Sequence, residues 1–99
     1  MKQTKLPHHF ALYVPKHLAA PLPTHQLDAY TLSAADGVWT EAGSTKYVDS
    51  LFVLSVWCDD DGLPGITGWI MDAAQHLLDR GELAVFAIID GTATILENA

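Results

Sequence analysis

Cysteine is nearly absent. Cys58 is the single one in 99 residues, so no internal disulfide can form and a cysteine-based structural zinc site is excluded. One thiol without a partner fits a reducing compartment. Basic side chains are also scarce, with five Lys and Arg against twelve Asp and Glu and a formal net charge of −7. Nucleic-acid binding and adhesion to anionic lipid both draw on clusters of Lys or Arg, so neither a nucleic acid nor a membrane is an expected partner. Charged residues of both signs make up only 17%, below the roughly 25% of an average soluble chain. No apolar run approaches the ~18–20 residues of a membrane-spanning helix. Near the N-terminus the only apolar run is Phe10–Val14, ended by Pro15, Lys16 and His17. It is too short for the core of a signal peptide, and a cytoplasmic location is expected.

Apolar residues make up 49%, enough to form a core and too many for a disordered chain. The length suits one domain, 1–99, with 1–8 and 97–99 frayed. The acid excess is local. Residues 48–99 carry nine of the twelve acids and only Arg80 among the basic residues, whereas four of the five His lie in residues 1–47. Charge therefore favours a protein partner with a basic surface, met by the second half of the chain.

Period-two alternation marks Phe10–Val14 as a strand, with Phe10, Leu12 and Val14 on one face. Lys16–Gln26 contains Pro21 and Pro23 and reads as an extended, partly apolar connection. Strand-forming residues in Leu27–Ala35, then Asp36-Gly37, then Val38–Glu41 suggest a hairpin turning at Asp-Gly. In Val48–Cys58 both faces are apolar, with Leu51, Val53 and Trp57 opposite Phe52, Leu54, Val56 and Cys58. A strand of that kind is covered on both sides. One helix can cover only one side, which leaves the second to the proline-rich segment or to another subunit. Ile66–Arg80 has helical periodicity, with Pro64 near its start and Gly81 just beyond its end. Leu83–Ile89 and Thr92–Leu96 flank Asp90-Gly91, another two-residue turn signal, and form the last hairpin. The expected fold class is α+β, a mixed but mostly antiparallel sheet of five or six strands in the order β-ββ-β-α-ββ. One amphipathic helix packs on one face.

If the strands ending at Cys58 and Ile89 run the same way, Asp59, Asp60, Asp61 and Asp90 emerge together beside the start of the helix. Turn and capping chemistry accounts for such residues. A patch for a basic partner and a hard-cation site are the functional alternatives. The spacing excludes an EF-hand loop, because it would put Trp57 at the first ligand position. Gly62, Gly65 and Gly68 bracket the helix start, but three Asp and no Lys stand beside them, which is wrong for a phosphate. Cys58 beside those acids is a structural thiol rather than a nucleophile. His8, His9, His17 and His25 read as solvated side chains rather than as metal ligands. Asp72, His76 and Asp79 share the polar face of the helix, with no hydroxyl or thiol there to activate. Trp57 reads as core. Trp69, at the edge of the apolar stripe, and Trp39, in a hairpin, are candidate interface anchors.

No catalytic constellation, metal set or cofactor motif emerges. By subtraction the chain reads as a small protein-binding module that occupies a partner's surface, as inhibitors, immunity proteins and antitoxins do. Asp59, Asp60, Asp61 and Asp90 face a basic partner, and Trp39 and Trp69 anchor it. A homodimer built on exposed sheet is the second reading. A small enzyme or carrier holding a divalent cation at the acidic edge is the third.

Overall fold

The alternation of Phe10, Leu12 and Val14 produces β1 (His8–Pro15), and this strand becomes the middle of the sheet. The structure is a computed structural model that describes residues 1–19, 22–41, 43 and 45–99, with only the backbone at 39, 41 and 45. After β1 come β2 (Thr31–Glu41), β3 (Thr45–Cys58), α1 (Leu63–Asp79), β4 (Val85–Ile89) and β5 (Thr92–Leu96). The strand order is β2-β3-β1-β4-β5, a five-stranded sheet with one helix, as the α+β reading requires. Both β3 and β4 pair antiparallel with β1, so they run in the same direction with β1 between them. The strand–helix–strand crossover therefore skips a strand, and every neighbouring pair is antiparallel. Residues 1–7 have no regular structure, and β1 already begins at His8.

The two Asp-Gly pairs expected to turn hairpins, at 36–37 and 90–91, have opposite fates. Asp90 and Gly91 have φ of 47° and 81° and connect Ile89 directly to its partner Thr92. Two successive positive φ values are what this tight hairpin turn requires. Asp36-Gly37, expected to turn, instead lies inside β2, opposite Ser50 and Asp49. The chain reverses further on, between Glu41 and Thr45, where Gly43 has φ of 83°. A turn at 36–37 would leave two short arms, whereas the later reversal lets all of β2 pair with β3, from Thr31↔Ser55 to Glu41↔Thr45. Beyond the pair Pro15↔Leu51, β3 has only β2 beside it. The hairpin projects as a two-stranded arm, and the molecule is 52 Å long against 28 and 24 Å across.

Helix α1 starts at Leu63 with Pro64 in its first turn, where a missing N–H costs nothing. Its stripe of Trp69, Ile70, Ala73, Ala74, Leu77 and Leu78 is buried. It packs on β1, β4 and β3, against Phe10, Leu12, Val14, Leu54, Val56, Val85 and Ala87. Leu22 and Leu27 from the proline-rich connection join this same cluster, and the indole N–H of Trp69 donates to the carbonyl of Pro23 at 3.2 Å. The connection therefore closes the helix side of the core. Its described residues do not cover the second face of β3, which stays open among the described residues.

Candidate functional site

The acidic end is assembled as the strand directions imply. β3 and β4 finish at the same end of the sheet, and β1 starts there. His8, the first residue of β1, lies between the two groups of acids. Its Nε2 is 2.6 Å from Asp60 and its Nδ1 is 2.8 Å from Asp90. Asp59 has a local task, since its carboxylate accepts the N–H of Gly62 at 2.9 Å just before α1. Gly62 is also a close-packing position, where a Cβ would stand 3.1 Å from that of Cys58. Gly65 and Gly68 face open space, so of the three glycines at the helix start only Gly62 is needed for close packing. Asp61 is exposed.

Two ring nitrogens facing two carboxylates favour the imidazolium, the only form that donates from both. The hydrogen bond to Asp60 and then that to Asp90 raise the His8 pKa above its ordinary value. A raised value in the folded state means that the bridge stabilises the fold fully below the unfolded value of about 6.5 and loses that contribution as pH rises through the folded one. His8 is therefore expected to titrate above an ordinary histidine in an NMR pH series. The difference in Tm between the wild type and His8→Gln is expected to narrow as pH rises above about 6.5. A midpoint at or below the free-histidine value would remove the bridge.

Cys58 is buried in the core cluster. Burial pushes its thiol up first, and the negative charges of Asp59, Asp90 and Asp60 push it further. Both effects suppress the thiolate, the reactive form. Labelling of the native protein with an aromatic disulfide reagent at pH 8 is expected to be slow and to become fast in denaturant. Fast labelling of the native state would contradict this burial.

The tryptophans exchange the places expected of them. Trp69 is 6% exposed and holds the connection to the helix, so it is a core residue and not a surface anchor. The helical pattern puts it at the stripe's edge, and the folded-over Pro23 segment covers that edge. Trp57, expected in the core, is 56% exposed and stacks on His9 with centroids 4.2 Å apart. It points away from α1 because its register partner, His9, alternates with the buried Phe10. Trp39 lies in β2 opposite Tyr47, but its side chain falls outside the described residues.

Trp57 belongs to a broad surface, the sheet face opposite α1. Register sorts this face into rows. Trp57 and His9 form one ridge. Next comes a row of smaller side chains, Thr31, Ser55, Ala11, Ile88 and Ala93. A second ridge follows, with Val53 beside Tyr13, the edge-on pair Tyr13 and Phe86 at 4.8 Å, and Ile95 opposite Phe86. Ile95 is 62% exposed. Where the arm departs, a hollow of about 310 Å³ continues the face past Tyr13, Leu51 and Phe86, and there Asp36, Asp49 and Glu82 join its lining. The three rows contain no Asp, Glu, Lys or Arg.

On the outer side of α1, Asp72 and Asp79 are exposed and Asp79 accepts a hydrogen bond from Gln75 at 2.9 Å. His76 is partly buried, and its Nε2 has no partner among the described residues. His17 and His25 are exposed. Among the described residues, no three or more His, Cys, Asp or Glu side chains are placed to hold a metal ion. No described helix is long and apolar enough to cross a membrane. No family model, curated protein or solved structure matches the chain.

Proposed function

We propose that this protein is a protein-binding module that acts by occupying a partner's surface, without a chemical step of its own. The observation that carries the reading is the uncovered sheet face. A charge-poor surface that carries Trp57, Tyr13, Phe86 and Ile95 has the composition of an interface core, where aromatics concentrate and charges are depleted. Exposed apolar area of this extent marks docking surfaces in folded proteins. The acidic end is a second, separate surface. Asp59, Asp60, Asp61 and Asp90 suit a partner with a basic surface, through faster encounter more than through added affinity. The mode of action is that of an inhibitor, immunity protein or antitoxin, and a cytoplasmic location accords with the lone reduced thiol.

Affinity capture from the native source tests this. Proteins retained by the wild type, copies of this chain included, are expected to be lost by the double variant Trp57→Glu, Ile95→Glu. Equal retention by that variant would refute the sheet face as the docking surface. Reversal of Asp59, Asp60 and Asp61 to Lys is expected to weaken capture of a basic partner, and unchanged capture would remove the steering role of the acidic end.

A further inference from the structure

We infer that the occupant of the open sheet face is a second copy of this chain, packed face to face about a two-fold axis. The inference rests on the reading of that face as a docking surface and adds its partner.

The face is shaped to receive itself. The row through Ser55, Ala11 and Ile88 is a trough, and Ala11 at its centre is only 2% exposed. The ridge of Val53, Tyr13, Phe86 and Ile95 runs parallel to it, one row away. A two-fold rotation brings the ridge of each copy over the trough of the other, so one relief supplies both halves of the contact. Sheets that pack in this way lie about 10 Å apart with their strands rotated by about 30°.

Size agrees with this partner. Five strands about 4.8 Å apart and three rows about 6.8 Å deep cover roughly 20 Å in each direction, about 400 Å² in projection. With its corrugation such a surface offers on the order of 500–600 Å² per copy, near the ~600 Å² per partner at which specific stable interfaces begin.

Charge separates a second copy from a basic partner. A partner selected by opposite charge has no reason to settle on the three rows, which carry no carboxylate; acids enter only at the hollow beyond Tyr13 and Phe86, where Asp36, Asp49 and Glu82 stand. Two chains of net charge −7 repel at long range, but the three rows bring no like charges into direct contact. The pairing is therefore apolar and opposed by overall charge, so salt should strengthen it by screening. A contact with a basic protein would weaken with salt.

Sedimentation velocity on the purified full chain, from about 5 to about 500 µM, tests this. The expected result is a reversible species of twice the 10.7 kDa chain mass that becomes more populated between about 0.05 and about 0.5 M NaCl. Trp57→Glu and Ile95→Glu are each expected to raise the dissociation constant about 30-fold or more. Both sites are more than half exposed, so the monomer fold should persist, and circular dichroism verifies it. Leu83→Glu, exposed and outside the three rows, should leave the dimer unchanged. A monomer at all concentrations and salts overturns the inference, as does a dimer indifferent to both face substitutions. A purified monomer that still captures a different protein through Trp57 and Ile95 leaves the binding module standing and removes only the second copy.

Discussion

Trp69→Ala is expected to destabilise the protein by about 3–5 kcal/mol, the range for truncating a buried large aromatic. Trp57→Ala is expected to change stability by no more than about 1 kcal/mol. The contrast follows from what each ring touches. Trp69 fills the seam between α1 and the connection that carries Leu22 and Leu27, and its indole N–H satisfies the Pro23 carbonyl. Truncation leaves a cavity, an unpartnered carbonyl and a loosened segment together. Trp69→Phe keeps most of the volume and loses the hydrogen bond, so it should cost less, about 1–2 kcal/mol. Trp57 rests on His9 with more than half its surface in water, so its removal opens no cavity. Urea denaturation at low protein concentration, where association contributes least, measures both. Equal losses at the two positions would mean that the open face is covered within the monomer.

These two residues also show which kind of information a linear sequence carries. Periodicity along α1 correctly separates buried Ile70, Ala73, Leu77 and Leu78 from exposed Asp72 and Asp79. It cannot say that a segment more than forty residues earlier folds over the stripe's edge and buries Trp69. The Asp-Gly pairs at 36–37 and 90–91 make the same point. Both dipeptides tolerate a turn, but only Asp90-Gly91 stands where no longer ladder competes for its residues. Local chemistry permits a turn, and non-local pairing decides whether it forms.

The acidic end was legible in outline. Strand, helix and strand from β3 to β4 already imply that Asp60 and Asp90 emerge at one end. The missing member was His8, because its place depends on β1 entering between β3 and β4. A signal was present nonetheless. His8 continues the alternation of Phe10, Leu12 and Val14 on the same side of β1, one step beyond the core. A strand inserted antiparallel between two others must begin where they end. His8 is thus the residue of β1 nearest both acidic turns, and it holds them together. The two-sided hydrophobicity of β3 was equally legible, and its consequence is structural: with α1 and the proline-rich connection on one side, Val53 and Trp57 are left on a face that nothing in the described chain covers.

Leu12→Ala is expected to cost about 3–5 kcal/mol, in the upper part of the range for leucine truncation. Leu12 is fully buried in the central strand, flanked by Leu54 of β3 and Ala87 of β4 in the cluster that includes Leu77 of α1. Its two neighbouring strands are fixed by backbone hydrogen bonds, so they cannot close over the space. The helix is the only layer able to move inward, and Leu77 and Ile70 already hold it against other parts of the sheet. The cavity therefore persists, and persistence makes a truncation expensive. Among the described residues no second apolar layer lies behind β1 to share the loss, since Ala11 and Tyr13 face the open side. A domain of this size has a total stability of about 5–15 kcal/mol, so the variant is expected to unfold at a much lower urea concentration with an unchanged slope. Leu32→Ala, at a half-exposed position on β2 beyond the helix contacts, should shift the midpoint little. A loss below about 1 kcal/mol at Leu12 would mean that the core can collapse around the missing side chain. The helix would then be a loose cover, and the one-sided sandwich that leaves the opposite face free for a partner would not hold.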